Sequence, residues 1–484
     1  MPRPNILLIT TDQQRADTVS ALGAPIWRTP AFDALAARGT LFGNCFIQNP
    51  ICIPSRACLQ TGRYTHQHGV RYMESEIDTT PGLPTQEWTV HERLRESGYL
   101  TAAFGKIHMM PERGFDRPQV TGGKGQRWTQ STGLPIGPGP LGPQYAEWLD
   151  ARVPGGYERI YEERRRPEYK ETMSALAFPH SAEHHVESWI TDNTIDLIKS
   201  PPSEPWFAWC GLTGPHGPLD VPPEYLDRYN PDDMPEPPHW DHDMRDRMPY
   251  PNRGPRERAP EQMAKARRWT AYYHALVDLI DDQLARITAA LDETGGWDNT
   301  LVLYTSDHGE MGGDFGLYGK GNFYDAVTRV PTFVIPPGGE PRRFDGLTEM
   351  FDLSATILDY AGLATPEHMA ARSLRPEMET GSGGRESVFG DYVTNDRDRS
   401  GVYCRTESHK LVVWTRGNEF GGELYDMIQD PEELSNRFDD PSLAPVRREL
   451  TDRIMQRRLE TDCPPPATEW PGAPRTTGDT SCAC

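Results

Sequence analysis

Long apolar runs are missing from this 484-residue sequence, and none is long enough to cross a membrane. The first apolar run, residues 5–10, is too short to be the core of a signal peptide that is followed by a cleavage site. The sequence therefore predicts a cytoplasmic protein without a membrane anchor.

Positive charge is scarce: 50 Lys and Arg residues stand against 71 Asp and Glu residues, and the formal net charge is −21. Nucleic acids and anionic membranes are bound by basic surfaces, so neither is predicted as a partner. A protein of this charge that handles an anion must concentrate its cations locally.

The eight cysteines form no closely spaced framework, so structural disulfides are not predicted. The terminal pair, Cys482 and Cys484, could bind a metal or form a redox pair, although a frayed tail is the simpler interpretation. A dinucleotide-binding fingerprint is also missing, because the glycines of residues 122–128 do not follow a strand and open a helix.

What the sequence does contain is an alternation of buried-strand and helical patterns. Continuous apolar runs predict strands at residues 5–10, 99–104, 205–213, 300–306 and 330–335. Helical spacing and end signals predict helices at residues 29–39, 85–98, 181–200, 262–293 and 348–361. This alternation predicts an α/β fold with a large, mostly parallel sheet that is flanked by helices on both faces.

The composition changes near residue 366. Residues 1–365 are predicted to form the main α/β domain, residues 366–460 a smaller C-terminal α+β domain, and residues 461–484 a tail. Residues 110–180 read as one irregular stretch, and a loop of this length usually serves as a lid or specificity segment.

Chemically useful side chains follow four of the predicted strands. They are Asp12, Lys106, His108, His216, Asp307 and His308. Ligands collect outside the carboxyl ends of parallel strands, so we expect these residues to meet at one edge of the sheet. Lys106 beside His108 suits binding an anion and moving a proton, and His216, held between two prolines, suits a proton donor. Taken singly, each residue could instead cap a helix or lie in a turn.

Two carboxylates with nitrogen and oxygen donors, and without a thiolate pair, suit a hard or borderline divalent cation. Asp12, Asp307 and His308 are the predicted ligands, and Gln13 and residue 52 are predicted as additional ones. Calcium is favoured, with manganese and magnesium as alternatives. Zinc is the weaker choice because no Cys pair or His-x-x-x-His spacing is present.

The densest group of functional side chains is residues 52–63, which read Cys-x-Pro-Ser-Arg and then Leu-x-Thr-Gly-Arg. The segment offers a thiol at Cys52, a rigid turn at Pro54 and fixed cations at Arg56 and Arg63, and its Thr-Gly pair predicts a helix end. An isolated buried cysteine usually packs as a small apolar residue. Here, however, five defined positions match together.

This segment resembles the signature of the sulfatase family, which belongs to the alkaline phosphatase superfamily. Gly105-Lys-x-His108, Pro215-His216, Asp307-His-Gly309 and Lys320 resemble further motifs of the family, and residues 423–431 resemble its small second domain. The resemblance covers most of the chain. It implies a sulfuric ester hydrolase in which Cys52 is oxidised to formylglycine by a formylglycine-generating enzyme.

The resemblance also implies a mechanism for sulfate monoesters. One hydroxyl of the hydrated formylglycine attacks sulfur to form a covalent sulfo-enzyme, and the other hydroxyl then expels sulfate. The implied catalytic residues are Cys52, Arg56, Lys106, His108, His216 and Lys320. Of these, Arg56 and His108 would hold and deprotonate the formylglycine, and His216 would protonate the leaving oxygen. The two lysines would bind the sulfuryl oxygens. The substrate would be a small-molecule or saccharide sulfate ester, and homo-oligomer formation stays open.

Two positions depart from the family pattern. The family commonly has a second acid where this chain has Gln13, and Asn where it has His308. Both residues resemble the phosphonate monoester hydrolase branch, so hydrolysis of phosphonate monoesters or phosphodiesters at the same site is the alternative. A non-catalytic anion-binding protein with an unmodified Cys52, and a phosphatase that uses the Cys52 thiolate, are two further interpretations.

Overall fold

The computed structural model of the protein describes residues 3–23, 28–72, 82–108, 113–123, 141–394 and 398–462. The strands in these ranges are β1 (Asn5–Asp12), β2 (Thr40–Phe46), β3 (Leu100–Lys106), β4 (Arg117–Thr121), β5 (Ala175–Ala177), β6 (Trp206–Pro215), β7 (Leu219–Val221), β8 (Thr300–Ser306), β9 (Arg329–Ile335), β10 (Arg342–Glu349), β11 (Val388–Val393), β12 (Arg399–Arg405), β13 (His409–Arg416) and β14 (Glu419–Asp426).

The α-helices in the same ranges are α1 (Pro30–Ala36), α2 (Cys52–Thr61), α3 (Thr65–His68), α4 (Val90–Glu96), α5 (Pro143–Asp150), α6 (Gly156–Arg165), α7 (Glu168–Glu171), α8 (Val186–Lys199), α9 (Pro223–Leu226), α10 (Pro260–Thr294), α11 (Asp325–Thr328), α12 (Asp352–Tyr360), α13 (Arg375–Thr380) and α14 (Ala444–Thr461). None of these helices is both long and apolar enough to cross a bilayer.

Eight strands form one sheet in the order β10-β2-β9-β8-β1-β6-β3-β4. Its neighbouring strands are parallel, except that β9 runs antiparallel to both β2 and β8. The predicted large, mostly parallel sheet is therefore confirmed.

Alternate residues of β1 pack on opposite faces of this sheet. Ile6 and Leu8 belong to one apolar cluster with residues of α2, α4 and α12. Leu7 and Ile9 belong to a second cluster with residues of α1, α8 and α10. Burial on both faces explains why the strand is a continuous apolar run, and it confirms that helices cover both sides.

The C-terminal strands β11 to β14 form a separate antiparallel sheet in sequence order. Leu450 of α14 packs against Leu411 and Leu424 of this sheet, which gives the predicted α+β character. Buried Lys410 on β13 forms two ion pairs, of which the one with Asp325 joins this sheet to the preceding α/β part of the chain. Lys410 Nζ lies 2.8 Å from Asp325 at the start of α11 and 2.7 Å from Glu433.

Several local predictions are wrong. Residues 110–180 are not one irregular stretch, because β4, α5, α6, α7 and β5 lie within them. Thr348 belongs to β10, so the helix predicted from that residue begins only at Asp352. Pro54 lies in the first turn of α2 and not in a separate turn. The predicted tail lies outside the described residues from 463 onward.

The helix predicted over residues 85–98 is shorter than expected and begins at Val90. Thr89 sets this boundary, since its side chain accepts a hydrogen bond from the Glu92 N–H and the Glu92 carboxylate accepts from the Thr89 N–H. The end of α2 follows the prediction, because Gly62 caps it with φ of 65°.

Candidate active site

Four neighbouring strands, β8, β1, β6 and β3, run parallel and end at the same edge of the main sheet. The residues that follow them meet there, as expected for an α/β sheet. Polar side chains gather at this edge, and we call them the cluster. They are Asp12, Lys106, His108, His216, Asp307 and His308, together with Cys52, Arg56 and Lys320.

Cys52 is the first residue of α2 and is buried. Its Sγ lies 2.6 Å from Lys320 Nζ, 3.2 Å from His308 Nε2 and 3.8 Å from Asp12 Oδ1. Burial and the Asp12 carboxylate raise the pKa of the thiol, but the charges of Lys320 and Lys106 outweigh them and leave it below its usual value. The positive end of α2 acts in the same direction. Residue 52 therefore occupies a position that stabilises negative charge.

Asp12, Cys52, Asp307 and His308 each offer one atom that could bind a metal, and these buried atoms lie within 4.8 Å of one another. His308 Nδ1 lies 2.9 Å from the Gly309 carbonyl and donates to it, which leaves Nε2 unprotonated and facing the cluster. Burial lowers the pKa of His308 to about 4, so the ring is neutral at neutral pH. Two carboxylates and a neutral imidazole fit a divalent cation.

Buried cations balance the two aspartates. Arg56 Nε donates to Asp307 Oδ2 at 2.8 Å, and Arg56 Nη2 lies 3.5 Å from Asp12 Oδ2. Lys106 forms an ion pair with Asp12. Burial raises the pKa of Asp12, but Lys106 and His216 outweigh it and hold this pKa well below its usual value. Burial also raises the pKa of Asp307, and Arg56 more than compensates. Both carboxylates are therefore ionised at neutral pH.

The remaining donors of Arg56 point to main-chain carbonyls. Its Nη1 donates to the Lys106 carbonyl at 2.7 Å, and its Nη2 donates to the Thr11 carbonyl at 3.3 Å. Arg56 is fully buried. Its hydrogen bonds to Thr11, Lys106 and Asp307 connect the ends of β1, β3 and β8. These contacts hold the two aspartates in place, and the role that the resemblance implies for Arg56 at residue 52 stays a prediction.

His216 follows β6, as predicted, and its Nε2 lies 4.0 Å from Asp12 Oδ1. Its side chain is 23% exposed, whereas those of Lys106 and His308 are buried. Glu187, which we did not predict, fixes the end of this strand. Its carboxylate accepts hydrogen bonds from the N–H groups of Thr213 at 3.0 Å and Gly214 at 2.7 Å. No sequence pattern indicates this role, because Glu187 reads as an ordinary acidic residue in the first turn of α8.

His108 is buried just beyond β3 and adopts a left-handed backbone conformation with φ of 58°. Burial and the charges of Lys106 and Arg56 hold its pKa well below the usual value. A neutral imidazole can accept a proton, which agrees with the predicted role.

Glu310 holds the loop that carries Lys320 into the cluster. Its Oε1 accepts hydrogen bonds from the N–H groups of Gly312 at 3.0 Å and Gly319, and its Oε2 accepts from Gln13 Nε2. One buried carboxylate thus joins the loop after β1 to the loop before Lys320. We assigned Glu310 no role from the sequence, although it directly follows the motif Asp307-His-Gly309.

Gln13 and Arg63 differ in how they relate to the cluster. The Gln13 N–H donates to Asp307 Oδ1 at 3.1 Å, and Gln13 Oε1 accepts no hydrogen bond from any described residue. Its role as an additional metal ligand stays a prediction. Arg63 is buried in an ion pair with Glu87 at 2.5 Å, so this second cation of the signature serves a structural contact.

Comparison with known proteins identifies the class to which this fold and site belong. Residues 4–363 match the family described as Sulfatase, and residues 313–460 match the family described as N-sulphoglucosamine sulphohydrolase, C-terminal. The chain therefore belongs to the sulfatase family and is a sulfuric ester hydrolase.

Individual relatives resemble the chain along nearly its whole length. The arylsulfatase of Clostridium perfringens is 29% identical, with 95% of each chain covered. The multifunctional alkaline phosphatase superfamily protein PehA of Trinickia caryophylli is 28% identical, with 95% of this chain and 96% of that protein covered. Among solved structures, the phosphonate monoester hydrolase of Agrobacterium radiobacter superimposes with a TM-score of 0.78 at 26% identity, with 95% and 96% of the two chains covered.

Proposed function

We propose that this enzyme hydrolyses sulfate monoesters with a formylglycine that is made from Cys52 by a formylglycine-generating enzyme. One observation carries the proposal. The buried side chain of residue 52 lies among two carboxylates, a neutral imidazole and the Lys320 ammonium group. We propose residues 1–365 as the catalytic domain and residues 366–460 as the smaller C-terminal domain.

The residues that would hold a divalent metal, with calcium favoured, are Asp12, Asp307 and His308, together with Gln13 and residue 52. The ionised carboxylates and the unprotonated Nε2 of His308 fit this role. When bound, the metal would supply Lewis-acid activation, and formylglycine would supply a hydrated aldehyde as the nucleophile.

The other side chains would manage charge and protons. Lys320 and Lys106 would stabilise the negative charge that builds on the sulfuryl oxygens, since both already neutralise anionic groups of the cluster. His108, buried and neutral, would accept a proton from the nucleophile. His216, at the exposed side, would protonate the leaving oxygen. Arg56 would keep Asp12 and Asp307 in place.

The test is a hydrolysis screen of aryl sulfates, sulfated sugars and choline sulfate on protein co-expressed with a formylglycine-generating enzyme and loaded with calcium or manganese. Mass analysis of the peptide that contains residue 52 reports the modification. Hydrolysis of sulfate esters by the modified protein, and its absence in the unmodified protein, would support the proposal. Equal rates for both forms would contradict it.

Phosphonate monoester or phosphodiester hydrolysis at the same site is the second candidate. Gln13 and His308 favour it, and so does the likeness to a phosphonate monoester hydrolase. Comparing kcat/KM for an aryl sulfate and an aryl phosphonate monoester separates the two candidates. A preference for the phosphonate by orders of magnitude would replace the sulfate assignment.

His216→Gln is expected to slow hydrolysis in proportion to the basicity of the leaving group. Loss of a proton donor costs about 10²-fold or more in kcat for an alkyl sulfate, which must leave as an alcohol. For 4-nitrophenyl sulfate, whose leaving group is stable as an anion, we expect a loss below about tenfold. His409→Gln in the C-terminal sheet is the control. Equal losses for the two substrates would contradict the role.

Glu310→Gln is expected to lower kcat/KM about 10- to 100-fold, because the new amide would place a donor against Gln13 Nε2 and loosen the loop of Lys320. Steady-state kinetics with 4-nitrophenyl sulfate measures the effect. Glu377→Gln changes another buried carboxylate, which pairs with Arg372, and we expect it to leave kcat/KM unchanged. Wild-type kinetics in Glu310→Gln would show that the loop does not depend on this contact.

A further inference from the structure

A cavity of about 650 Å³ opens on the surface beside the loop that precedes Lys320. We call it the arginine groove. It is lined by residues 249–256 and by Asp398, Arg399 and Arg416, so four of its side chains are guanidinium groups, those of Arg253, Arg256, Arg399 and Arg416. Such a concentration of positive charge is unusual in a chain with a net charge of −21.

Three of these arginines form no ion pair with a described carboxylate. Arg253 Nη1 and Arg256 Nη1 donate to the same Gly316 carbonyl, at 3.1 and 2.9 Å. Arg399 Nη1 donates to the Pro249 carbonyl at 2.8 Å. Each guanidinium keeps further N–H donors that these contacts do not use.

The fourth arginine differs, because Arg416 Nε lies 2.8 Å from Asp398. Surface arginines elsewhere in the described chain also pair with carboxylates, as Arg165 does with Glu158 at 2.7 Å. The three groups that are anchored to carbonyls therefore stand out as positive charge that no described carboxylate pairs with.

Aromatic rings hold two of the guanidinium groups in place. The Arg253 guanidinium lies 5.9 Å from the ring centre of Tyr250, and that of Arg256 lies 5.8 Å from the ring centre of Trp240. Burial and the neighbouring charge of Arg256 lower the pKa of Arg253. An anion between the two groups would relieve this repulsion, and the fixed side chains would lose little conformational entropy on binding it.

The arginine groove borders the active-site loop. Gly316, which anchors Arg253 and Arg256, lies four residues before Lys320. Tyr250 lines the groove and is hydrogen-bonded by Asn322, two residues after Lys320. Groove residues thus contact the chain four residues before Lys320 and two residues after it.

We infer that the arginine groove binds a second acidic group of the substrate, a sulfate or a carboxylate, while the ester to be cleaved lies at residue 52. The inference rests on the proposed function and names its substrate class: sulfate esters that carry at least one further anionic group. Bidentate contact between guanidinium groups and the planar carboxylate or tetrahedral sulfate explains why arginine rather than lysine lines the groove.

The test compares wild type with Arg253→Gln/Arg256→Gln on three substrates: 4-nitrophenyl sulfate, glucosamine-2-N,6-O-disulfate, and a 6-sulfated disaccharide that carries a glucuronate. We expect KM for the multiply charged substrates to rise about tenfold or more, which corresponds to the loss of one or more charge-assisted hydrogen bonds. We expect kcat, and KM for 4-nitrophenyl sulfate, to stay within about twofold. A rise confined to the disulfate identifies a sulfate as the second group, and a rise confined to the disaccharide identifies a carboxylate.

Arg165→Gln is the matched control, since Arg165 is exposed and distant in sequence from the groove. Arg399→Gln removes a cation of the groove but leaves the hydrogen bonds of Arg253 and Arg256 to the Gly316 carbonyl in place. We expect it to raise KM for the same substrates. Unchanged KM values in both groove variants would overturn the inference. An equal loss for 4-nitrophenyl sulfate would also overturn it, because the arginines would then act through the Lys320 loop.

A binding measurement separates this inference from the proposed function. Isothermal calorimetry of glucosamine-2-N,6-O-disulfate with Cys52→Ala protein needs no turnover. Affinity that drops about tenfold when Arg253→Gln/Arg256→Gln is added would support the groove even if the wild type hydrolysed no sulfate ester. An unchanged affinity would overturn the groove even if hydrolysis were efficient.

Discussion

Cys52→Ala is expected to reduce kcat for sulfate esters by about 10³-fold or more while the protein stays folded. Loss of a covalent nucleophile removes the whole reaction path and leaves only the residual effect of binding and charge stabilisation. The substitution deletes one buried sulfur atom, and alanine suits the first turn of α2. Thermal unfolding and far-UV circular dichroism should therefore match those of the wild type closely.

Cys58→Ala provides the control for this experiment. Cys58 is also buried in α2, but its Sγ lies 3.4 Å from His68 Nε2 and not in the cluster. Burial raises the pKa of this thiol well above its usual value, which makes it a poor nucleophile and metal ligand. We expect full activity from Cys58→Ala. Turnover retained in Cys52→Ala would remove the covalent mechanism.

The strands that carry the site were predictable because they are buried on both faces. A run such as residues 5–10 has no polar face, and the rule that parallel strands end at one edge then brings Asp12, His216 and Asp307 together. The edge strand β10 was missed because only four of its eight residues are buried and its sequence, RRFDGLTE, shows no apolar run. The same reason applies to α6 and α7, in which charged residues dominate.

The roles of supporting side chains were much less predictable. The sequence motif identifies Arg56 as a cation, but it does not indicate the hydrogen-bond partner of each of its five N–H groups. Only the fold shows that they meet Asp307, Asp12 and the carbonyls at two strand ends. The roles of Glu187 and Glu310 were not predicted for a related reason. Both carboxylates accept hydrogen bonds from main-chain N–H groups that are distant in sequence or lie in a loop.

Arg56→Lys is expected to lower both the stability of the fold and the rate of the reaction. The guanidinium is fully buried and its planar fork serves Asp307, Asp12 and two carbonyls at once, which a single ammonium group cannot do. Leaving a buried carboxylate without its partner costs about 3–5 kcal/mol in the free energy of unfolding. Displacement of the two aspartates should also lower kcat by about 10²-fold.

Urea unfolding and steady-state kinetics on the folded protein measure these two effects separately. Arg63→Lys is the matched control, because Arg63 is buried just beyond the same helix and pairs with Glu87 rather than with the cluster. We expect Arg63→Lys to lose stability but to keep kcat, whereas Arg56→Lys should lose both. If Arg56→Lys kept the wild-type kcat, the positions of Asp12 and Asp307 would have to be fixed by Lys106 and the main chain alone, and Arg56 would be a purely structural residue.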